Sequence, residues 1–289
     1  MSQSAAPPPA APPPQEKPMS QRATLMVSLL AVLIVVMIYL FWQGTWFGRE
    51  LSDEQISEYL TDEEHPRNAQ HVIARISERM SQGDESVKKW YPRIVVLADH
   101  RLAQLRVNAA WLMGQDNESG EFHEKLRQML ADPDPLVRRN SALSLVRFKD
   151  ESGRQELLGM LGNFTVHSPH SGAFREFLEV EDVVDDGTLL ARVEVRGQEE
   201  PAEVRSPLPG IVIKLLLDDG AEVRAGEPVV LLGPSAAHVR EALRALYLVG
   251  KPGDVESIRP FLQPSENFPE SVARQARLTV EMIRQRREQ

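Results

Sequence analysis

The chain has 289 residues, 33 Lys+Arg against 42 Asp+Glu for a formal net charge of −9 at pH 7, and no cysteine. The acidic balance disfavours binding to the phosphate backbone of nucleic acids, because neutralising phosphates needs surplus positive charge. The lack of cysteine excludes disulfide frameworks, cysteine-ligated zinc or iron–sulfur centres, and thiol nucleophiles. At roughly 150 residues per domain, the length allows two modest domains, or one domain with appendages.

The first two predicted segments are a tether and a membrane span. Residues 1–22 contain seven of the 21 prolines and are predicted to be a disordered tether. Residues 23–47 carry no charge, which predicts a single transmembrane helix. Lys17 and Arg22 precede this helix and Arg49 follows it, so the positive-inside rule predicts a cytoplasmic N-terminus and, in a bacterium, a periplasmic bulk anchored in the inner membrane. A buried helix of a globular core is the alternative.

Beyond the span, apolar residues at helical spacing predict short helices over 50–162 and 236–287. Small residues recur in two pairs, separated by 32 residues in the first pair and 31 in the second. These pairs are Ala110 with Ala142, and Ala245 with Ala276. The distance between the pairs exceeds one repeat by about 71 residues, which predicts an insertion inside one repeat.

The helical pattern resembles HEAT repeats, in which paired antiparallel helices stack on their neighbours. Arg106 and Arg138 begin the second helix of a pair, and Ala110 and Ala142 stand where helices approach closely. The resemblance implies an α-solenoid that offers surface to a protein partner. A plain helical bundle is the alternative.

The predicted insertion, residues 163–235, has β-strand patterning with turn signals between the strands. Five residues are expected at its turns: Pro207, Gly210, Gly220, Gly226 and Pro228. The stretch 202–235 resembles the biotinyl/lipoyl-type barrel-sandwich hybrid of acyl-carrier enzyme domains and of periplasmic membrane-fusion adaptors. The resemblance implies a small all-β barrel inserted into the helical array.

Carrier domains of that type present a lysine on a hairpin tip for attachment of biotin or lipoate. Between Lys149 and Lys251 the sequence has one lysine, Lys214, which its surroundings place inside a strand. The hairpin is expected after 229–232 or near 181–187, and neither stretch supplies a lysine. The sequence therefore predicts no cofactor. No metal-binding or catalytic motif is recognised either, so no metal site and no catalytic residue is predicted.

These patterns together predict a multi-domain α + β protein: a single transmembrane helix and a HEAT-like α-solenoid with an inserted small all-β barrel-sandwich hybrid. They predict a non-enzymatic membrane-anchored scaffold or adaptor that holds protein partners at the periplasmic face. The bilayer is the expected partner of residues 23–47, and nucleic acid is not expected as a partner. One alternative is a membrane-fusion-type adaptor of an efflux or secretion system. A biotin or lipoate carrier is the third possibility, disfavoured by the missing hairpin lysine.

Overall fold

The computed structural model describes residues 21–44, 51–60, 62 and 65–288. The chain divides into two units, Met1–Ser52 and Asp53–Gln289, and each is described by itself. The described part of the first unit is one helix, α1 (Gln21–Gly44), together with residues 51 and 52. Residues 1–20 of the predicted tether and 45–47 of the predicted span lie outside the described residues.

The predicted transmembrane helix is contradicted. Among the described residues, none of the helices combines the length and apolar composition that crossing a bilayer requires. This finding contradicts three predictions: the span over 23–47, the bilayer as its partner, and the single-pass inner-membrane localisation.

Seven helices precede the β-strands in the described part of the second unit. They are α2 (Asp53–Tyr59), α3 (Pro66–Ser81), α4 (Tyr91–Leu97), α5 (Ala103–Met113), α6 (Gly120–Met129), α7 (Pro135–Arg147) and α8 (Arg154–Gly159). The start of α7 shows how the sequence sets these boundaries: the Asp134 carboxylate accepts hydrogen bonds from the N–H groups of Leu136 and Val137. Pro135 fills the first helical position, where its missing N–H costs nothing.

Eight strands follow α8 and form two antiparallel four-stranded sheets, referred to together as the β unit. They are β1 (Phe164–His167), β2 (Gly172–Glu176), β3 (Val183–Val184), β4 (Leu189–Glu194), β5 (Ala202–Arg205), β6 (Gly210–Leu215), β7 (Glu222–Val223) and β8 (Pro228–Pro234). The strand order is β1-β8-β6-β3 in one sheet and β5-β4-β2-β7 in the other. Valine and leucine side chains from both sheets share one buried core, with Phe174 fully buried among them.

The β unit is built from two similar halves, β1–β4 and β5–β8, that exchange strands between the sheets. The N–H of Gly226 donates to the carbonyl of Ser168 at 2.7 Å, and the N–H of Gly187 donates to the carbonyl of Ser206 at 2.7 Å. Equivalent positions lie 38 or 39 residues apart, and replacing each strand by its equivalent converts one sheet order into the other. The unit is therefore approximately two-fold symmetric.

The first and last strands of the β unit are neighbours, so the helices before and after the unit can pack against each other. β1 pairs antiparallel with β8, with Phe164 opposite Leu232. The chain leaves α8 and returns into α9 (Ala236–Val249) at one place. Leu157 of α8 and Leu243 of α9 lie in the same buried core.

The C-terminal part of the second unit has two long helices separated by short turns. After α9, α10 (Val255–Ile258) is flanked by 3-10 turns over Pro252–Asp254 and Arg259–Phe261, and α11 (Glu270–Glu288) follows. Arg286 of α11 donates to the carbonyls of Leu248 and Tyr247 at 2.6 and 2.7 Å. This side chain therefore satisfies the carbonyls left open at the end of α9.

The predicted fold class is corrected to a mixed α/β structure with two small antiparallel sheets. The predicted barrel is wrong because neither sheet closes: β1 and β3 are the ends of one sheet, and β5 and β7 are the ends of the other. The regular HEAT-like array is also not supported. The helices among the described residues differ in length, and two helical stretches are broken into short pieces, one at Glu85–Trp90 and α4, the other between Pro252 and Phe261.

Candidate functional site

The longest exposed turn of the β unit joins β4 to β5, which pair antiparallel from Leu189 with Arg205 to Val193 with Ala202. Residues 196–201 of this hairpin tip are exposed. This tip lies at neither of the expected hairpin positions, near 181–187 or after 229–232. The tip carries no lysine. Lys214 lies inside β6, opposite Leu231 of β8.

The five turn residues named from sequence all lie in the second half of the β unit. Gly220 and Gly226 have φ of +81° and +84°, a left-handed conformation that glycine adopts without a steric penalty. Gly210 begins β6, and a Cβ there would stand 2.4 Å from the carbonyl oxygen of Gly233, so this glycine permits close strand approach. Pro228 begins β8, and Pro207 lies in the bend before β6.

Sequence reasoning missed the equivalent residues of the first half. Gly172 takes the place of Gly210, since a Cβ there would stand 2.1 Å from the carbonyl oxygen of Glu194. Glu181 takes the place of Gly220 and adopts φ of +79° without being glycine. The available signal was the pattern Ser-Pro-x-x-Gly, which occurs at 168–172 and again at 206–210.

Arg106 and Arg138 occupy closely similar surroundings. The Arg106 guanidinium donates to both carboxylate oxygens of Asp132 at 2.7 and 2.8 Å, and to the carbonyl of His100. Arg138 donates to Glu156 at 2.9 Å and to the carbonyl of Asp132 at 2.8 Å. Each arginine thus ties the start of its own helix to the turn before it and to a carboxylate further along the chain.

The four small residues proposed for helix packing, Ala110, Ala142, Ala245 and Ala276, are buried. The Ser144 hydroxyl of α7 donates to the carbonyl of Ala110 in α5 at 2.8 Å. Ala142, Ala245 and Ala276 belong to one core shared by α7, α9 and α11. The small side chains leave room for close contact between these helices.

A charged cluster joins α6 to the end of α7. Asp150 accepts hydrogen bonds from His123 at 2.7 Å and Arg127 at 2.6 Å, and from the N–H of Ser152 at 2.8 Å. Burial acts to raise the pKa of Asp150, but the hydrogen bonds from Ser152, Arg127 and His123 outweigh it and hold that pKa well below its usual range. The Asp150 carboxylate is therefore negatively charged and holds α6 to the turn after α7.

Two polar side chains of α7 and α9, Arg139 and His238, have perturbed pKa values. Arg139 of α7 is 6% exposed, and no hydrogen bond or ion pair of its guanidinium is found among the described residues. The Nδ1 atom of His238 in the first turn of α9 is buried without a hydrogen-bond partner. Burial lowers the pKa of Arg139 to about 10 against the opposing charge of Glu156. Burial and then the charge of Arg139 lower the pKa of His238.

Two of the concave regions among the described helices are lined by residues between 60 and 118. One, of about 210 Å³, is lined by apolar side chains that include Leu60, Val96 and Leu105. The other, of about 180 Å³, is lined by Asp84, Asp116 and further polar residues. Within the described ranges, no three His, Asp or Glu residues are grouped so that they could hold a metal ion.

Comparison with known proteins shows similarity to carboxylases over part of the chain. No family model matches the sequence. The chain is 32% identical over 85 residues to the mitochondrial methylcrotonoyl-CoA carboxylase subunit alpha of Oryza sativa subsp. japonica, which covers 29% of this chain and 12% of that protein.

Two solved carboxylase structures also match part of the chain. The Kluyveromyces lactis urea carboxylase is 25% identical, with a TM-score of 0.23 over 24% of this chain and 6% of that one. A single-chain, multi-domain long-chain acyl-CoA carboxylase is 15% identical, with a TM-score of 0.24 over 48% of this chain and 16% of that one.

These findings correct the predicted function. The sequence similarity is to an enzyme subunit. It contradicts the expected non-enzymatic membrane scaffold, the alternative of an efflux or secretion adaptor, and the prediction that the chain is not an enzyme. The expected kinship with HEAT-repeat proteins and membrane-fusion adaptors is likewise overturned, since the similarity found is to a carboxylase subunit. Neither the described residues nor the comparisons identify a protein partner or point to nucleic acid.

Proposed function

We propose that this chain is an accessory component of a carboxylase-type enzyme. The observation that carries the proposal is the 32% identity over 85 residues to a carboxylase alpha subunit. The match spans about an eighth of that subunit's length, so the proposal gives this chain a part in the enzyme and assigns the carboxylation chemistry to a larger partner. The absence of a phosphate-binding glycine loop from the sequence agrees with that division.

The β unit is the part of the chain that we assign to contact with the partner. Its 164–234 span is similar in length to the matched segment of 85 residues. Its β4–β5 hairpin tip is exposed and carries two adjacent carboxylates, Glu199 and Glu200. An exposed hairpin on a rigid two-sheet support offers a partner a defined docking element.

The test is ATP-dependent incorporation of labelled bicarbonate into acyl-CoA substrates. The tagged full chain is purified from its source with whatever carboxylase subunits accompany it, and the fixation rate is compared between wild type and a Glu199→Gln/Glu200→Gln variant. The matched control is Glu121→Gln/Glu124→Gln, which removes the same charge from exposed positions of α6. We expect the hairpin variant to lower subunit recovery and fixation together, and the α6 control to leave both unchanged.

Failure of the wild-type preparation to fix bicarbonate with any acyl-CoA, or absence of carboxylase subunits at stoichiometric amounts, contradicts the proposed function. A second measurement separates an accessory component from a carrier. Incubation with biotin ligase, ATP and biotin is expected to leave the intact mass unchanged, because Lys214 lies within a strand rather than on a turn. An added biotinyl mass on Lys214 contradicts the accessory role.

A further inference from the structure

The outer side of the sheet that contains β3 and β6 carries exposed aliphatic side chains. Val183 of β3 is 78% exposed and Ile213 of β6 is 43% exposed. Val183 stands opposite Ile211 of β6. Val184 and Val212, the next residues of the two strands, are buried in the core between the sheets. Because successive side chains of a strand point to opposite faces, Val183 and Ile211 point away from that core.

Val180 lies beside the same pair of strands. The N–H of Glu181 donates to the carbonyl of Val212 at 2.8 Å, which holds the loop before β3 against β6. The side chain of Val180 is exposed like those of its neighbours. Four aliphatic residues therefore form one surface, named the aliphatic patch: Val180, Val183, Ile211 and Ile213.

The two-fold repeat of the β unit shows that the fold does not require aliphatic side chains at these positions. In the other half, Glu222 of β7 stands opposite Ala173 of β2, in the same way as Val183 stands opposite Ile211. The same strand pairing therefore forms with a carboxylate in place of Val183. Ile213 is the extra residue at the shift in register between β6 and β8, and it has no equivalent in the other half.

The position equivalent to Val180 is also charged in the other half. Val180 precedes Glu181 and Asp219 precedes Gly220, and the second residue of each pair has left-handed φ. Asp219 forms an ion pair with Arg175 of β2 at 3.4 Å. The equivalent surface is thus polar and partly neutralised within the chain, whereas the aliphatic patch is apolar. This difference between two halves of the same fold points to a role for the patch outside folding.

Carboxylates flank the aliphatic patch and are not neutralised. Residues 176–186, which include two members of the patch, contain six Asp or Glu and no Lys or Arg. The carboxylates that form ion pairs in the β unit, among the described residues, are instead Glu194, Asp219 and Glu203. Lys214 is the one basic residue of β6. The patch is therefore an aliphatic surface with a net negative charge around it.

We propose that the aliphatic patch docks an extended segment of a partner protein that is both aliphatic and basic. β3 is an end strand of its sheet, and an extended segment can add to such an edge. Aliphatic side chains of the segment cover the patch, and its lysines or arginines complement the carboxylates of 176–186. A second copy of this chain does not fit, because a symmetric contact would bring 176–186 of both copies together and like charges repel. The inference does not depend on the proposed carboxylase role.

The test measures the fluorescence anisotropy of a labelled peptide as the full chain is added. The peptide has three valines alternating with threonines at its centre and two lysines at each end. One comparison peptide replaces the lysines by glutamates, and another replaces the valines by serines. We expect saturable binding of the lysine–valine peptide that weakens as salt is added, and binding of both comparison peptides that is weaker by about tenfold or more.

Val180→Ser/Val183→Ser removes aliphatic contacts of the patch without touching the core. It is expected to weaken binding of the lysine–valine peptide by about tenfold or more. The matched control is Leu248→Ser, which makes a similar change at a position of α9 that is 60% exposed. The control is expected to bind the peptide as wild type does.

A second pair of variants tests the charges around the patch. Glu179→Gln/Glu181→Gln is expected to weaken binding and to reduce its dependence on salt, because it removes two exposed carboxylates beside Val180. Glu199→Gln/Glu200→Gln, on the hairpin tip, is expected to leave peptide binding unchanged. This pair separates the inference from the proposed function, since the hairpin variant is the one expected to lower the recovery of carboxylase subunits.

The proposal is overturned if the lysine–valine peptide does not bind, or if either comparison peptide binds as tightly. It is also overturned if Val180→Ser/Val183→Ser binds the peptide as wild type does, or if Leu248→Ser weakens binding by as much. Sedimentation of the full chain decides about a second copy: a dimer that Val180→Ser/Val183→Ser converts to a monomer would show that the patch joins two copies, against the proposal.

Discussion

Replacement of Asp132 by asparagine tests whether the ion pair with Arg106 holds the α5–α7 region together. The side chains of Arg106 and Asp132 are 12% and 9% exposed, so water compensates little for a lost contact. The asparagine amide would offer one oxygen acceptor to two donating nitrogens, which lie 2.7 and 2.8 Å from the two oxygens of the Asp132 carboxylate. Removing one partner of a buried pair costs about 3–5 kcal/mol.

The lower end of that range is expected for Asp132→Asn. Arg106 keeps its hydrogen bond to the carbonyl of His100 at 2.9 Å, and the amide oxygen can still accept one hydrogen bond. We therefore expect a loss of about 3 kcal/mol in the free energy of unfolding. Urea denaturation followed by far-UV circular dichroism measures this loss, as a lower midpoint at unchanged slope.

The matched control is Glu203→Gln, which makes the same charge-to-amide change in an exposed pair with Arg205, where the side chains are 41% and 53% exposed. Exposed pairs contribute about 0–1 kcal/mol, so the control is expected to lie within that range. If Asp132→Asn costs no more than Glu203→Gln, the buried pair does not stabilise the fold and the reasoning from burial is refuted.

Three further outcomes are expected from the same denaturation assay. Gly210→Ala is expected to lower the free energy of unfolding by more than about 2 kcal/mol, since its Cβ would stand 2.4 Å from a carbonyl oxygen. Gly159→Ala, with nothing within 4 Å of its Cβ, is expected to leave that free energy unchanged or to raise it. Equal losses in the two variants would contradict this reasoning. Glu181→Gly is expected to raise the free energy of unfolding by about 1 kcal/mol and Gly220→Ala to lower it by about as much, because both positions have left-handed φ. Changes of the same sign in the two variants would count against strain at Glu181. Because hydrogen bonding depresses the folded-state pKa of Asp150 below 3.8, its stabilisation is fully present above that unfolded value and lost as pH falls through the folded pKa. The stability difference between wild type and Asp150→Asn should shrink between about pH 5 and about pH 2, and a constant difference would argue against it.

Local signals in the sequence predict helix starts and tight turns of this structure, because these features depend on only a few neighbouring residues. Asp134 followed by Pro135 is a strong helix start, because cap and proline both satisfy the first turn locally. Gly220 and Gly226 were expected at turns, and both adopt the left-handed conformation. Such features depend on a few neighbouring residues, so the sequence displays them directly.

Features that depend on distant residues could not be predicted in the same way. Leu157 and Leu243 lie in one buried core, and no local pattern in the sequence shows that these two residues are buried together. The hairpin at 195–201 was missed because the two halves of the β unit were not recognised as similar. Glu181 of the first half stands where the second half has Gly220, so the turn glycine that marks the repeat is absent there. The span over 23–47 was predicted from composition alone, and the described helix does not bear it out.

The exchange of strands between the halves of the β unit has a consequence for how the chain folds. β1 pairs with β8, and β3 pairs with β6, so neither half completes a sheet by itself. Sheet formation must wait for contacts between segments far apart in the chain, which slows folding and makes it all-or-none. If the chain is cleaved in the exposed 196–201 tip and the two fragments are separated, neither fragment should form the sheets of the β unit alone, and mixing the fragments should restore them.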